Sequence, residues 1–278
     1  MKKDASAHFK QSTVLPWVEL RVANQSNACY QAHSHDEFSF GIIDSGRAEY
    51  RNRHTNHHIG QGDIVTINPA DVHSCNPERG TWSYSMLFVD SGQMGQMQQE
   101  VMACSDGGHR QDYLPFRVAL DRSPLVGQRY RALFYDLQAE VGALEVQTRL
   151  FDFIEAAFGQ RSDETIKAPS PRLKRVHETL LDDVTRVHQL EQLAAEAQMS
   201  RYQLLRAFKH YYGLPPHAYL MDEKIKRAKV MLKSGHQIAD IAHTLGFSDQ
   251  AHFQRQFKKK IAVTPKYYQS HFIKLGDV

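Results

Sequence analysis

Cysteine is scarce in this chain, and long apolar runs are missing. The 278 residues include three cysteines, Cys29, Cys75 and Cys104, which are widely spaced and form no CxxC pair. This pattern disfavours a disulfide framework and a cysteine zinc site, and it is typical of a reducing cytoplasm. The first 18 residues contain neither a signal-peptide pattern nor an apolar run of spanning length. We therefore expect a cytoplasmic protein that has no membrane partner.

Common catalytic signatures are also missing. The sequence contains no GxSxG, P-loop, Rossmann GxGxxG or HExxH pattern. These absences disfavour the usual serine hydrolases, nucleotide hydrolases, dinucleotide-dependent enzymes and zinc proteases. We expect no catalytic residues and no cofactor, and we look for binding functions instead.

The chain has almost no overall excess of charge, since its formal net charge is +3. Its two parts differ, however, because residues 171–278 carry a net charge of +8 and residues 1–170 a net charge of −5. A basic part neutralises phosphates and releases counterions, which is typical of nucleic-acid binding. The densest basic run is Lys258-Lys259-Lys260, which we interpret as phosphate contacts or a solvated helix end.

The boundary between these parts is a segment that has no apolar periodicity. Residues 159–171 are mostly polar and end in Ala-Pro-Ser-Pro. We predict a linker there, which separates one domain of residues 1–158 from another of residues 172–278. A chain of this length has room for two domains.

The last hundred residues contain one helical pattern twice, 48 to 49 residues apart. In each copy, apolar residues recur at the spacing that gives a short helix one buried face, and a second helix follows. A repeat in register is stronger evidence than a single motif, so we interpret each copy as a helix-turn-helix. The first copy comprises Leu190, Leu193, Ala194, Ala197, Leu204, Phe208, Lys209, Gly213, Pro216 and Tyr219, and the second comprises Ile238, Ile241, Ala242, Leu245, Phe253, Phe257, Lys258, Ala262, Pro265 and Tyr268.

The residues between the two helices of each copy predict a turn. In the second copy, Gly246 is suited to end a helix in the left-handed conformation, and Ser248 or Asp249 is suited to cap the next helix. The first copy has Gln198-Met199 in the same place, with Ser200 as the cap. The first turn is therefore the less typical of the two.

One long helix is predicted between the two copies, over residues 216–234. It begins with proline and stops before Gly235. At about 1.5 Å per residue its length is roughly 28 Å, which is comparable to the roughly 34 Å between successive major grooves on one face of B-DNA. A single chain can therefore place both second helices on one side of a duplex.

The second helix of each copy has polar side chains outside its apolar face. Hydrogen-bonding and planar side chains of this kind read base edges in a major groove. An ordinary helical domain with solvated faces explains one such copy, but two copies in register within a basic domain favour DNA binding. The candidate DNA-contacting residues are Ser200, Arg201, Tyr202, Gln203 and Arg206 in the first copy, and Gln250, Ala251, His252, Gln254 and Arg255 in the second.

These residues resemble the AraC/XylS family of bacterial transcription regulators. The resemblance covers Pro171 to His271, and its most specific stretch is IADIAHTLGFSDQAHFQRQFKK, residues 238–259, followed by Val263-Thr264-Pro265 and Tyr268. In that family the first residues of both second helices contact bases. The positions implied here are Tyr202, Leu205 and Arg206, then Gln250, Ala251, His252 and Arg255.

Two positions depart from the family pattern. Ala262 stands where the family usually has glycine, and Leu205 stands where a polar side chain is more usual. If the backbone at Ala262 has a positive φ angle, alanine costs on the order of 1 kcal/mol there. That strain would be local.

The first 110 residues are typical of short strands separated by turns. Residues 37–43, 64–67 and 82–89 are apolar or alternating, and glycine or proline turn signals lie between them. Several residues resemble the cupin barrel that forms the effector domain of many AraC-type regulators, which implies a barrel that binds a small molecule. They are His33-Ser34-His35, Gly46, Gly62-Asp63, Pro69 and His73.

Histidine and aromatic side chains mark the expected effector site. Side chains that alternate along a strand project from the same face, so a run of alternating aromatic residues is suited to line a small-molecule site or to pack in the core. His33 and His35 share a strand face in the same way. The candidate effector-binding residues are His33, His35, His73, Trp82 and Tyr84, with Met86 and Phe88 on the same face as the last two.

Three neutral imidazoles can also bind zinc or iron. A cupin metal site usually adds a glutamate after the HxH pair, and this chain has Ser39 or Phe40 in that place. We therefore expect no metal, and we name His33, His35 and His73 as the ligands if one binds. The alternative hypothesis is a metal-dependent cupin enzyme with an accessory DNA-binding domain.

Residues 125–158 return to a helical pattern with two apolar stripes. One stripe is expected to pack on the barrel. The family resemblance implies that the other pairs with a second subunit and gives a homodimer. The stripes comprise Leu133, Leu137, Val141 and Leu144, and Leu150, Phe151, Ile154 and Phe158.

The sequence thus predicts an α+β protein with two domains. We expect a cupin-like β-barrel with packing and dimerisation helices, which binds a small-molecule effector. We expect it to be followed by an all-α domain that binds double-stranded promoter DNA through two helix-turn-helix units joined by a long helix. RNA polymerase is a further candidate partner. A third hypothesis, an architectural DNA-binding protein without an effector, leaves some 150 residues without a role.

Overall fold

The protein folds into two compact units in the computed structural model, which describes residues 6–102, 112–158 and 169–273. The first unit comprises Met1–Cys29 and His35–Asp163, and the second comprises Tyr30–Ser34 and Glu164–Val278. The first is rich in strands and the second is helical, so the predicted fold class is confirmed. The predicted linker at 159–171 and Cys104 lie largely or wholly outside the described residues.

The first unit contains two antiparallel sheets. The larger has the strand order β1-β2-β8-β3-β6-β9 and the smaller the order β5-β4-β7. Three of the strands are the ones predicted from the sequence, with small differences at their ends. The strands are β1 (Ala7–Gln11), β2 (Val18–Ser26), β3 (Phe38–Ser45), β4 (Arg47–Asn52), β5 (Thr55–Gly60), β6 (Ile64–Ile67), β7 (His73–Pro77), β8 (Trp82–Val89) and β9 (Leu120–Asp121).

Alternation along the strands gives the larger sheet two different faces. Leu20, Phe40 and Leu87 project from one face into the main hydrophobic core, and the Phe40 ring stacks on Phe153 at 4.5 Å between ring centroids. Their strand neighbours Arg21 and Met86 are paired in register, so both project from the opposite face. The second face is where the candidate effector residues of β8 lie.

Helices α1 (Ser91–Met102), α2 (Pro124–Gln138) and α3 (Ala143–Phe158) complete the first unit. The prediction of one apolar helical stripe from Leu133 and Leu137 to Leu144 is wrong, because the chain turns between α2 and α3. Glu140 has a φ angle of 55°, and Leu144 is 80% exposed while Leu133 is fully buried. No helix among the described residues is long and apolar enough to cross a lipid bilayer.

The second unit is built from seven helices among the residues described. Two of the pairs, α5–α6 and α8–α9, are the predicted helix-turn-helix copies, and α7 is the predicted long helix to within one residue. The helices are α4 (Pro171–Asp182), α5 (Leu190–Ala197), α6 (Arg201–Tyr212), α7 (Pro216–Lys233), α8 (Ile238–Thr244), α9 (Gln250–Ile261) and α10 (Pro265–Gln269).

The turn chemistry of both copies matches the prediction. Ser200 caps α6 and Asp249 caps α9, each through a side-chain oxygen that accepts a backbone N–H. Gly246 adopts a φ angle of 63° in the second turn, and Gln198 adopts 54° in the first. At Ala262 the φ angle is 67°, so alanine does occupy the left-handed conformation that the family usually gives to glycine.

Candidate nucleic-acid interface and effector site

The helix α6 is anchored by its apolar face and presents a polar face to solvent. Leu204 and Phe208 are fully buried. Arg201, Gln203 and Arg206 are exposed, which is the arrangement that base reading requires. Tyr202 belongs to α6, but its side chain lies outside those described.

Two of the α6 candidates also hold the helix end together. The Ser200 hydroxyl accepts the Gln203 backbone N–H at 3.2 Å, and the Gln203 side-chain oxygen accepts the Ser200 N–H at 2.9 Å. This capping box satisfies two backbone donors. The Arg201 guanidinium lies 2.7 Å from Glu191, and both side chains are exposed. A base contact by Gln203 would require its side chain to leave the cap, whereas Arg206 has no role in the capping box.

The helix α9 repeats the arrangement. Phe253 and Phe257 are fully buried, while Gln250, Ala251 and Arg255 are exposed. Gln254 is partly buried. The first turns of α9 therefore present exposed side chains to solvent, as the first turns of α6 do.

His252 is more constrained than its neighbours in α9. Its ring meets Phe247 edge-on at 5.5 Å, and its Nδ1 lies 3.1 Å from the Ser248 hydroxyl. The His252 backbone N–H donates to Asp249 at 2.6 Å, and this hydrogen bond lowers the pKa of that carboxyl. These contacts hold the N-terminal end of α9 in place and leave His252 only partly exposed.

The basic run at the end of α9 does not behave as one surface. Lys259 is exposed and Lys258 is partly buried, but Lys260 is only 5% exposed. The Lys260 ammonium lies 3.3 Å from a carboxylate oxygen of Asp222 on α7. The interpretation of the run as phosphate contacts or a solvated helix end is therefore wrong for Lys260, because its ammonium is buried against the Asp222 carboxylate.

Four of the candidate effector residues belong to the first unit and are buried there, namely His35, His73, Trp82 and Tyr84. The His35 ring lies 4.7 Å from the His73 ring and 5.0 Å from the Phe88 ring, measured between centroids. Trp82 and Tyr84 contact each other at 4.4 Å. Among the residues that the structure describes, nothing accepts a hydrogen bond from the buried Trp82 indole N–H. An unsatisfied buried donor is uncommon in a packed core, so it makes this face of the sheet a candidate ligand-binding site.

Sequence reasoning missed the polar side chains of β2 that share this face. Arg21 is 7% exposed, and its guanidinium lies 5.6 Å from the Tyr84 ring and 5.0 Å from the Phe9 ring. Glu19 is 3% exposed and is paired in register with Phe88. The signal was present in the sequence, because charged and apolar residues alternate along Val18–Val22.

The three histidines also fit a metal ligand set. One ring nitrogen from each of His33, His35 and His73 lies within 4.8 Å of the other two, and all three residues are buried. The Nδ1 atoms of His33 and His73 donate to the carbonyl oxygens of Gln31 and Asp71, as metal-binding imidazoles usually do with their second nitrogen. Ser39 is buried where a cupin metal site usually has a carboxylate, so the donor set would consist of histidine alone.

One unit contains two helix-turn-helix pairs, and the other is rich in strands and has a buried polar face. Together they define the class, a DNA-binding regulator with a ligand-binding domain. The description "AraC-like ligand binding domain" matches residues 16–154, which is half of the chain. The description "Helix-turn-helix domain" matches residues 193–271. The chain therefore belongs to the AraC-type transcription regulators, as the sequence resemblance implied.

Similar proteins support this assignment. The HTH-type transcriptional regulator YbfI of Bacillus subtilis is 29% identical over 225 residues, which cover 79% of this chain and 80% of that protein. The regulator YdeC of the same organism is 24% identical over 290 residues, with 94% and 96% covered. The crystal structure of ToxT from Vibrio cholerae has a TM-score of 0.58 at 14% identity and covers 93% of this chain and 99% of that chain. The likeness to ToxT concerns the fold alone.

Proposed function

We propose that α6 and α9 read base edges in two successive major grooves of a promoter. One observation supports this proposal. The recognition helices, α6 and α9, each have one exposed polar face and an opposite face that is buried. The helix α7 has 18 residues and a length of about 27 Å, which is comparable to the groove spacing. The proposed contacts are Ser200, Arg201, Tyr202, Gln203, Arg206, Gln250, Ala251, His252, Gln254 and Arg255.

Selection of randomised duplex DNA by the full-length protein at physiological salt tests this proposal. We expect a motif with two conserved blocks about one helical turn apart, because each recognition helix occupies one groove. Recovery of no motif would contradict sequence-specific binding and would favour an architectural role.

The effector site is proposed on the buried face of β8 and β2. Tyr84 and Phe88 supply an apolar aromatic surface, and Trp82 supplies an unsatisfied N–H donor. The buried guanidinium of Arg21 lies beside the Tyr84 ring, and the buried Glu19 carboxylate lies on the same face of β2. His33, His35 and His73 are the proposed polar contacts. This combination fits a small apolar molecule that carries a carboxylate.

ToxT gives a parallel, since its structures include one with a bound unsaturated fatty acid and one with a naphthalenyl butenoic acid. A fluorescence titration tests the same class of ligand here. The variant Trp17→Phe leaves Trp82 as the remaining tryptophan. Palmitoleic acid and naphthoic acid serve as probes, and the matching alcohols serve as controls. We expect the acids alone to change the Trp82 emission, and we expect Arg21→Met to weaken the response. An equal response to the alcohols would contradict the role of the carboxylate.

We propose a homodimer through an N-terminal domain of residues 1–158, which a linker at 159–171 joins to the DNA-binding domain at 172–278. Its helices carry large apolar side chains in solvent, namely Tyr135 at 69% exposure on α2 and Leu144 at 80% on α3. Sedimentation analysis tests this assignment. We expect the double variant Tyr135→Glu, Leu144→Glu to shift a dimer toward monomer, and an unchanged dimer would place the interface elsewhere.

We further propose that the protein acts in the cytoplasm, contacts RNA polymerase at its promoters and is not an enzyme. The one competing function with an observation in its favour is a metal-dependent cupin enzyme, because three buried imidazoles lie close together. Metal analysis of the purified protein separates the two. Stoichiometric metal together with turnover of a substrate would favour the enzyme.

A further inference from the structure

The two helix-turn-helix copies meet at a second place besides α7. The turn of the second copy contains Gly246, and the chain that follows α4 passes directly beside it. A Cβ atom added to Gly246 would lie 3.1 Å from the Thr185 Cα and 3.1 Å from the Thr185 carbonyl oxygen. The two backbones therefore pack against each other, with no side chain from Gly246 between them.

The chain beside this turn is connected to the first copy. It follows α4, whose Thr179 hydroxyl donates to Glu196 on α5 at 2.8 Å. His177 of α4 also stacks on Tyr212 of α6, at 4.3 Å between ring centroids. Since α4 packs on both helices of the first copy, the contact at Thr185 connects the first copy to the turn of the second.

A lysine of α7 holds the same turn. Lys224 is 6% exposed, and its ammonium donates to the Gly246 carbonyl at 3.0 Å. The ammonium also lies 5.4 Å from the centre of the Phe247 ring. Burial lowers the pKa of Lys224, and the negative charge of Asp183, on the segment after α4, opposes that shift. Lys224 therefore interacts with the second turn and with the segment after α4.

Arg227 gives α7 a contact with the end of α4. Its guanidinium donates to the Leu181 carbonyl at 3.4 Å. Lys224 and Arg227 are three residues apart, so they lie on the same face of the helix. One face of α7 thus contacts both the last turn of α4 and the turn of the second copy. The meeting point, hereafter the junction, comprises Asp183, Thr185, Lys224, Gly246 and Phe247.

A directional contact matters here because of the way the second copy is joined to α7. Residues 234–237 connect α7 to α8, and Gly235 among them has a φ angle of 87°. Apolar packing holds buried faces together but is not directional, whereas a hydrogen bond from a charged donor has a preferred distance and angle. The Lys224 hydrogen bond therefore fixes where the second turn, and the helix α9 that follows it, lies along α7.

We propose that Lys224 is a positioning residue that holds α9 at a fixed distance from α6 and so sets the spacing between the two base blocks that the protein accepts. This inference rests on the proposed reading of two grooves by α6 and α9. One inserted base pair moves a block by about 3.4 Å and rotates it by about 35° around the duplex axis. Two helices held by the junction fit one spacing, whereas a second copy released from Lys224 can follow a displaced block.

Binding to duplexes of altered spacing tests the proposal in the full-length protein. The probes carry the motif selected by the wild type, with its two blocks at the selected spacing or one base pair closer or farther apart. We expect a change of one base pair to weaken wild-type binding about tenfold, as one mismatched base pair does, and Lys224→Met binding about threefold or less. At the selected spacing the two proteins should bind alike, because the buried ammonium makes no phosphate contact.

Two further variants serve as controls. Lys224→Arg keeps a charged donor and should retain the wild-type preference for one spacing. Lys226→Met removes the same charge from the same helix, but the Lys226 ammonium lies 2.8 Å from Glu223 on α7 itself, so this variant should also retain the preference. Melting temperatures show which variants fold, and Lys224→Gln takes the place of Lys224→Met if the latter does not fold.

Three outcomes separate the possible failures. An equal loss of affinity at every spacing in the Lys224 variant would make this lysine a structural residue and overturn the proposal. Equal binding of the wild type to all three spacings would overturn it without any variant. Failure of the wild type to select any duplex would instead overturn the proposed DNA-binding function.

Discussion

The two helix-turn-helix copies have the same order of helices but place different residues at the left-handed positions of the backbone. Each copy needs a left-handed residue in its turn and another at the end of its recognition helix. The first copy uses Gln198 in the turn and Gly213 at the helix end, with φ angles of 54° and 77°. The second reverses the choice, with Gly246 at 63° and Ala262 at 67°. Each copy therefore has one glycine and one residue that is strained at such an angle.

The copies also differ in what surrounds their turns. In the second copy, Lys224 donates from α7 to the Gly246 carbonyl at 3.0 Å, and burial lowers the pKa of this lysine. The first copy instead has a capping box between Ser200 and Gln203. The comparison teaches that the repeat conserves helix positions and buried faces, while each copy stabilises its turn by its own contacts.

Truncation of the central phenylalanines should have the largest effect. Phe208→Ala and Phe257→Ala, at equivalent positions of the two copies, each remove a fully buried ring, so each should lower the free energy of unfolding by about 3 to 5 kcal/mol. Urea unfolding measures this. Tyr211→Ala, at a position 38% exposed, is the control and should cost about 0.5 kcal/mol or less. A large cost in one copy and a small cost in the other would break the equivalence of the two cores.

Arginine substitutions on the two recognition helices should have the next largest effect. Arg206→Ala and Arg255→Ala should each weaken binding to the selected duplex by about 1 to 3 kcal/mol if each arginine contacts a guanine in two places. Titration of labelled duplex measures the loss. Lys259→Ala is the comparison, because a phosphate contact should weaken binding to all sequences alike. An equal loss on unrelated duplexes would make either arginine a phosphate contact.

Exchanging residues at the left-handed positions should shift stability by about 1 kcal/mol, in opposite directions. Gly246→Ala should destabilise, because of its φ angle and because the new Cβ would lie 3.1 Å from Thr185. Ala262→Gly and Gln198→Gly should each stabilise by about 0.5 to 1 kcal/mol. Thermal unfolding measures all three. Destabilisation by both glycine substitutions would show that these residues contribute more than their backbone strain costs.

The smallest predicted effect is a pH dependence that comes from a histidine packed against the first copy. His177 on α4 stacks on Tyr212 at 4.3 Å, and burial lowers the pKa of its ring from 6.5. The unfolded chain therefore takes up the proton first, so stability should fall as pH drops from about 6.5 to the lower folded pKa. Unfolding of wild type and His177→Phe at several pH values measures this. An equal pH dependence in the variant would assign it to other groups.

The sequence predicted the elements that depend on local pattern. Apolar periodicity located α6 and α9, and residues such as Ser200 and Gly246 located the turns that precede them. The helix break at residues 139–142 was missed, although Gly142 lies in it, because the apolar spacing continues across it. Alternation identified β8 but was overlooked on β2, where Arg21 lies.

Contacts between distant residues were beyond sequence reasoning. Lys260 follows two other lysines, and its charge predicted a surface position. Its burial depends on Asp222, and on a segment 228 residues away that contributes the Ala32 carbonyl. Side-chain pairing of this kind has no period in the sequence, so only the folded chain reveals it.

The most direct test of the central claim is to repeat the duplex selection with Arg206→Ala and with Arg255→Ala, and to compare each recovered motif with that of the wild type. If α6 and α9 each read one groove, each variant should lose base preference in one block only, and the two variants should lose it in different blocks. Loss in the same block, or an equal loss across both blocks, would contradict the claim that the two copies read DNA separately.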